Sequence, residues 1–172
     1  SSGLTALAAL EVQRNDGPWT VPEGLKKDNA VLSLAGGTRQ RGRSASLMAY
    51  RAAWTATDQI PQRLIDAGTY EGQPFDRFDS LDPTAGGSTR RDSLTAEWHD
   101  EGAAGRTRVS AYAVRYRLDL NSNFTYALER PADGDQFKQT DRRTVLGVDV
   151  SQAVDHVLAG RELRTEFGAS LR

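Results

Sequence analysis

The 172-residue sequence contains no cysteine. The chain therefore has no disulfide bond, no thiolate nucleophile and no zinc site built on cysteine ligands. An excess of either positive or negative charge is also lacking, because the chain has 22 lysines and arginines and 23 aspartates and glutamates. This balance gives no reason to expect nucleic acid as a partner.

Long apolar runs are absent as well. The densest stretch, Ala6–Leu10, is far shorter than the roughly 18 residues that a transmembrane helix needs. Helical spans are thereby excluded, but the alternating strands of a membrane barrel are not. No signal peptide is recognisable, and alternation continues into both ends of the chain. We therefore expect a segment of a longer protein.

Alternation of polar and apolar residues is the main pattern that the sequence does contain. It predicts about seven strands with almost no helix. Their approximate bounds are Leu4–Val12, Leu25–Ala35, Arg43–Ala56, Arg91–His99, Thr107–Leu120, Arg142–Val154 and Leu163–Leu171. Such strands are long for a soluble protein, in which about five or six residues are usual. For two segments a short helix remains an alternative to the extended conformation, namely Pro61–Ala67 and Ser151–Leu158.

Short turns and long loops connect the strands in strict alternation. The short connections are Gly36–Gly42, Asp100–Arg106 and about His156–Gly160, and the long ones are Asn15–Gly24, Thr57–Arg90 and Asn121–Asp141. Bacterial outer-membrane barrels have short periplasmic turns and long extracellular loops, whereas soluble domains seldom contain structureless loops beyond about 15 residues. The pattern predicts an all-β antiparallel meander that forms part of a transmembrane β-barrel, with the three short turns facing the periplasm.

Charged strand residues are predicted to share one face, which would line a wet lumen. These residues are Glu11, Arg51, Glu97, Arg115, Arg117, Asp119, Arg143, Asp149 and Glu166. An arginine facing lipid at the midplane would cost roughly 2–4 kcal/mol. Trp54, Trp98 and Tyr112 are predicted to lie in the aromatic girdles at the two membrane interfaces. A soluble β-sandwich, with a solvated face and core aromatics, would show the same alternation.

Groups that could carry chemistry are few. Four loop aspartates form two close pairs, Asp76 with Asp79 and Asp133 with Asp135. Aspartate is common in turns, so these pairs do not predict catalysis. His99 and His156 lack neighbours at metal-ligand spacing, and no lysine follows Gly86-Gly87 as a phosphate loop requires. We expect no enzyme activity, no metal and no cofactor.

Aromatic residues among mixed charges are concentrated in the two longest loops. Such residues suit the capture of a ligand at loop tips. The predicted ligand contacts are Tyr70, Phe75, Phe78 and Phe124. The same aromatics equally suit loops that pack against each other above a barrel.

Several segments together resemble a known family. They are DQIPQRLIDAG (Asp58–Gly68), FDSLDPTAGGSTRRDSLTAEW (Phe78–Trp98), VSAYAVRYRLDLNSNFTYAL (Val109–Leu128) and GDQFKQTDRRTVLGV (Gly134–Val148). In this order they resemble the barrel of TonB-dependent outer-membrane receptors, and NDGPW at Asn15–Trp19 is similar to an earlier loop of that barrel. The resemblance covers nearly the whole chain.

The resemblance implies a 22-stranded barrel closed around an N-terminal plug. Receptors of this family bind a scarce nutrient such as a ferric siderophore, cobalamin or a saccharide, and the TonB protein supplies energy through a motif before the plug. The sequence departs from the family in lacking a plug, a TonB-binding motif and a closing strand. Seven strands are also too few to close a bacterial barrel, for which eight is the usual minimum. Residues 1–172 are thus expected to form a partial barrel domain, incomplete at both ends.

The resulting expectation is a segment of an active-transport receptor in the bacterial outer membrane. Its partners would be outer-membrane lipid, the TonB complex and a small-molecule nutrient. Two alternatives remain open. One is another outer-membrane barrel, such as a porin-like channel or an adhesin, and the other is a soluble β-sandwich that binds carbohydrate.

Overall fold

The structure, a computed structural model, describes residues 3–55, 60–102, 105–132 and 134–172. Its elements in chain order are β1 (Gly3–Asn15), β2 (Leu25–Gly37), β3 (Arg41–Thr55), α1 (Gln62–Ala67), β4 (Thr69–Tyr70), β5 (Gln73–Pro74), β6 (Gly86–Gly102), β7 (Gly105–Ser122), β8 (Phe137–Leu158) and β9 (Arg161–Leu171). The prediction of an all-β chain with almost no helix is confirmed.

Seven of the strands form one antiparallel sheet in the order β1-β2-β3-β6-β7-β8-β9. Each neighbour in the sheet is also the next long strand along the chain, so the predicted meander is confirmed. The small β4–β5 hairpin lies within the long connection between β3 and β6. Within the described residues the sheet does not close, because β1 and β9 each pair with a single strand.

The connections alternate as predicted. Residues 38–40 join β2 to β3 and residues 159–160 join β8 to β9, whereas residues 103 and 104, between β6 and β7, lie outside the described residues. At the opposite end of the sheet lie the long connections 16–24, 56–85 and 123–136, of which 56–59 and 133 are likewise not described. The strands extend farther into the predicted loops than alternation alone indicated.

The two possible helices have different outcomes. Residues 62–67 form α1, which ends at Gly68 in a left-handed conformation with φ of 66°, as the Pro61–Ala67 interpretation predicts. The helical interpretation of Ser151–Leu158 is wrong, since these residues continue β8. Ser151 pairs with Arg108 of β7, and Leu158 pairs with Arg161 of β9. Backbone pairing to neighbouring strands therefore fixes the extended conformation of this segment.

The strand register defines the two faces of the sheet. Leu32, Leu47, Leu94 and Leu146 fall in one cross-strand row together with Ala8 and Ala113. We call the face that carries this row the apolar face, and the opposite one the polar face. Because alternate residues of a strand point to opposite faces, the register also assigns each of the remaining strand residues to one of the two faces.

The predicted confinement of all strand charges to one face is wrong. Glu11, Glu97, Arg143, Asp149 and Glu166 do lie on the polar face, but Arg51, Arg115, Arg117 and Asp119 lie on the apolar face, beyond its leucines toward the loops. In β7 the even-numbered residues, which include Tyr112 and Val114, are more hydrophobic than the odd-numbered ones. The odd-numbered residues nevertheless lie on the apolar face, because Ala113 pairs with Leu94 and Leu146. Pairing with neighbours thus overrides the hydrophobicity of a single strand.

The predicted aromatic girdles need a similar correction. Trp98 lies on the apolar face, in the row of Val109 and Val150. Trp54 and Tyr112 lie on the polar face, so their predicted placement on the same face as Trp98 is wrong. The ring of Tyr112 covers Gly147, where a Cβ atom would collide with the ring. A larger residue at position 147 would therefore have to displace the tyrosine ring.

The sheet has no second layer of secondary structure among the described residues, and its core is correspondingly small. Only Ala52, Phe75 and Ala85 are buried hydrophobic residues in that part of the chain. No helix there is both long and apolar enough to span a membrane.

Candidate functional site

An apolar belt crosses all seven strands on the apolar face. It consists of Leu4, Ala6, Ala8, Leu10 and Val12 in β1; Ala30, Leu32 and Leu34 in β2; Ala45, Leu47 and Ala49 in β3; Leu94, Ala96 and Trp98 in β6; Val109, Ala111 and Ala113 in β7; Leu146, Val148 and Val150 in β8; and Leu163, Phe167, Ala169 and Leu171 in β9. Its side chains are open to the surroundings, with Leu4 79% and Leu146 63% exposed. Contiguous apolar surface of this extent marks contact with a membrane or another protein.

The belt is slanted relative to the strands. On the strands that have connections at both ends, its centre lies at Leu32 on β2 and Leu47 on β3, and at Ala96, Ala111 and Val148 on β6, β7 and β8. The second set lies one cross-strand row closer to the short turns, which is about 7 Å along the strands.

Charges bound the belt on both sides. Toward the loops, Asp92 and Arg115 occupy the next positions on the apolar face after Leu94 and Ala113. Toward the short turns, Asp100 follows Trp98 on the same face. On β6 and β7 the surface of the apolar face thus changes from apolar to charged between two successive residues of that face.

The polar face carries side chains that pair with each other. The Lys27 ammonium group lies 2.7 Å from Glu11, and the Arg143 guanidinium lies 5.0 Å from the centre of the Tyr116 ring. The buried Oδ1 atom of Asn29 has no hydrogen-bond partner among the described residues. A face of this composition can border water or a polar protein domain.

The three long loops contact one another and form what we call the loop platform, built from residues 16–24, 60–85, 123–132 and 134–136. The backbone N–H of Thr20 donates to the carbonyl of Phe78 at 2.9 Å, which joins the first and second loops. Asp82 joins the second and third loops, because its carboxylate accepts from Asn123 at 2.7 Å and from Gln136 at 2.9 Å. The loops are therefore linked by specific hydrogen bonds.

Two platform carboxylates have altered acidity. Burial acts to raise the pKa of Asp82, but hydrogen bonds from Thr84, Asn123 and Gln136 outweigh it and hold that pKa below its usual range. The backbone N–H groups of Glu129 and Arg130 donate to Asp135 at 3.0 and 2.8 Å and lower the pKa of its carboxyl. Both groups are thus ionised near neutral pH and act as hydrogen-bond acceptors that hold the loops.

The paired aspartates have turn geometry. The Asp79 carboxylate accepts from the backbone N–H of Asp76 at 2.8 Å, and that of Asp76 accepts from Phe78 at 2.7 Å. Asp133, the predicted neighbour of Asp135, lies outside the described residues. These contacts give the aspartates a role in loop conformation.

The histidines and the glycine pair likewise adopt structural positions. His99 lies in β6 against Gly42, His156 lies near the end of β8, and Gly86-Gly87 begins β6. Among the described residues, no group of three or more histidine, aspartate or glutamate side chains could hold a metal ion.

The four predicted ligand contacts lie in three separate aromatic pairs. The rings of Tyr70 and Phe75 are 5.6 Å apart, Phe78 lies 6.4 Å from Trp19, and Phe124 lies 5.7 Å from Phe137. Phe75 is buried, whereas Phe124 is 78% exposed. The sequence analysis missed both partners, although Trp19 lies in a loop rich in glycine and proline, where an aromatic side chain is unusual.

Comparisons with protein-family models, curated proteins and solved structures find no match for this chain.

Proposed function

We propose that this sheet is part of the wall of a β-barrel in the bacterial outer membrane, and that the protein is a TonB-dependent receptor that takes up a scarce nutrient. The exposed apolar belt, which crosses all seven strands, carries the proposal. Strands of an outer-membrane barrel tilt by about 35–45°, so a belt parallel to the membrane must cross them at a slant. The shift of the belt toward the short turns from β2 to β8 agrees in kind with that geometry.

The remaining architecture supports the same orientation. The polar face would look into the lumen, where charged groups stay hydrated. The loop platform would lie outside the cell and the short turns in the periplasm, as is usual in such barrels. A barrel that continues on both sides would also pair the edges of β1 and β9, whose backbone groups would otherwise be costly in lipid.

A receptor is favoured over a porin-like channel or an adhesin by the resemblance of the four sequence segments and by the hydrogen-bonded loop platform. Linked loops offer a preorganised surface for a small ligand. In the soluble β-sandwich alternative, a second sheet would cover the belt. Strands of 11 to 22 residues in the main sheet are long for that architecture.

Site-specific labelling of cells tests the proposed orientation. Because the chain has no cysteine, Arg63→Cys in α1 and Arg39→Cys in the β2–β3 turn each introduce one thiol, both at exposed positions. A maleimide that does not cross membranes should label Arg63→Cys in intact cells. It should label Arg39→Cys only after the outer membrane has been permeabilised.

Equal labelling of the two variants in intact cells, or recovery of the protein in the soluble fraction, would contradict the membrane assignment. Uptake that persists without TonB or without the proton gradient would favour a passive channel. These two measurements separate the receptor from both alternatives.

We further propose that Tyr70, Phe78 and Phe124 contact the nutrient, with Phe124 as the most accessible of them, whereas the buried Phe75 supports the ring of Tyr70. Replacing a central aromatic contact commonly costs about 2 kcal/mol or more of binding energy. Phe124→Ala should therefore weaken binding by about 30-fold or more, as measured by titration with a panel of hydroxamate and catecholate ferric siderophores. Leu128→Ala is the matched control, because Leu128 is equally exposed in the same loop. Equal affinity of both variants would contradict this assignment.

A further inference from the structure

Four arginines lie directly opposite one another across four adjacent strands. Arg51 of β3 pairs with Arg90 of β6, Arg90 pairs with Arg117 of β7, and Arg117 pairs with Arg142 of β8. We call this set the arginine row. All four residues lie on the apolar face, on the loop side of the apolar belt. Like charges in directly opposite positions destabilise a sheet, so the row calls for compensating negative charge.

The chain supplies that compensation only in part. Arg90 lies 2.7 Å from Asp92, and Arg142 lies 3.7 Å from Asp119. Arg51 and Arg117 have no ion pair within the described ranges. The neighbouring Arg115 lies opposite Asp92 and adds a fifth guanidinium. Asp28 lies opposite Arg51 but is paired with Arg14, so three carboxylates face six arginines. The patch therefore has an excess of positive charge, although the chain as a whole is nearly neutral.

Small side chains leave room beside the row. Ala53 and Ser88 are the next residues toward the loops on the apolar face of β3 and β6. With Lys26, Asp28, Arg51, Arg90, Arg117 and Asp119 they line a shallow groove, in which four cationic side chains outnumber two carboxylates. An anion in this groove could contact several guanidinium groups at once.

The row is continuous with the belt. Only Ala49 separates Arg51 from Leu47 on the apolar face of β3, and Arg115 follows Ala113 directly on β7. Adjacent arginines are about 4.8 Å apart across the sheet, so the four span about 14 Å. Apolar surface for acyl chains thus adjoins a cationic surface wide enough for more than one phosphate.

We propose that the arginine row binds the headgroup of a lipid that carries two or more phosphates, whose acyl chains lie on the apolar belt. Arginine suits this role because its planar guanidinium binds phosphate through two parallel hydrogen bonds. The proposal rests on the proposed membrane location. It adds a partner that is distinct from the transported nutrient, since the row lies on the face away from the lumen.

Native mass spectrometry of the protein purified in detergent tests the proposal. The lipid probes are lipid A with two phosphates, monophosphoryl lipid A and phosphatidylcholine, and inorganic phosphate is the non-lipid probe. The wild-type protein should retain the two-phosphate lipid best. The double variant Arg90→Gln/Arg117→Gln should weaken that binding at least tenfold.

Arg43→Gln and Arg91→Gln are the matched controls. Arg43 lies on the apolar face at the turn side of the belt, and Arg91 follows Arg90 on the polar face, so both should bind the lipid within twofold of the wild type. The proposal is overturned if the double variant binds like the controls, if phosphatidylcholine binds equally well, or if inorganic phosphate competes fully with the lipid. Labelling of the Arg63→Cys and Arg39→Cys variants separately reports the membrane location, so failure of the arginine row alone leaves the proposed function intact.

Discussion

Replacing Leu94 with arginine is expected to destabilise the protein in a membrane by about 2–4 kcal/mol, the cost of an arginine at the lipid-facing midplane of a barrel. Leu94 lies near the middle of the apolar belt, between Leu47 and Ala113 in the same row. Leu94 is 51% exposed, so about half of its surface contacts no other part of the described sheet. The expected loss arises mainly where that exposed half would contact lipid.

Thr95→Arg is the matched control because Thr95 follows Leu94 and points to the polar face. A surface substitution of this kind usually changes stability by less than about 0.5 kcal/mol. Urea unfolding of both variants reconstituted in lipid vesicles measures the difference. Equal stability of Leu94→Arg and Thr95→Arg would mean that the belt faces water, and the proposed wall of a barrel would then be untenable.

The meander was predictable because its signals are local. Alternation with a period of two residues marks the strands, and glycine pairs such as Gly36-Gly37 mark a turn within a few residues. The alternation of short and long connections follows directly from these signals. Each of them can be read within about ten residues of sequence, without knowledge of the pairing partner.

The faces of the strands were not predictable in the same way. Arg115 and Arg117 lie on the same face of β7 as Ala111 and Ala113. The sequence of β7 alone favours the opposite face, which carries Tyr112, as the apolar one. Only pairing with β6 and β8, which lie far away in the chain, places Ala113 among leucines. Both the arginine row and the correction for Trp54 follow from this register. Cross-strand neighbours are non-local information that no window of one strand contains.

The individual loop contacts were not predictable for a related reason. The sequence indicated aromatics and aspartates in the loops and left open that the loops pack against each other, as they do. Which groups meet depends on how three loops pack above the sheet. Asp82 reaches Asn123 and Gln136 only because β6, β7 and β8 are adjacent. The sequence therefore predicted that the candidate site lies in the long loops, but not which residues contact one another there.

Gly86→Ala is expected to produce a loss of stability comparable to that of Leu94→Arg, at the loop end of the same sheet. Gly86 has φ of 136°, and a Cβ atom there would collide with the carbonyl oxygen of Trp54 and lie 2.7 Å from Cα of Thr55. Both contacts are backbone atoms of β3, which cannot rotate away as a side chain could. Backbone strain and overpacking each cost about 1–3 kcal/mol. Urea unfolding should thus show a loss of at least about 2 kcal/mol.

Gly72→Ala separates these two costs. Gly72 also has a positive φ, of 78°, but a Cβ atom there would have nothing within 4 Å, so its alanine variant carries the strain alone. The difference between the two variants then measures the close approach of β3 to β6 where the loop platform begins. Should both variants lose the same stability, this approach would be looser than described. Gly86 would then not fix the start of β6, and the position of Asp82 four residues earlier would depend on the loop contacts alone.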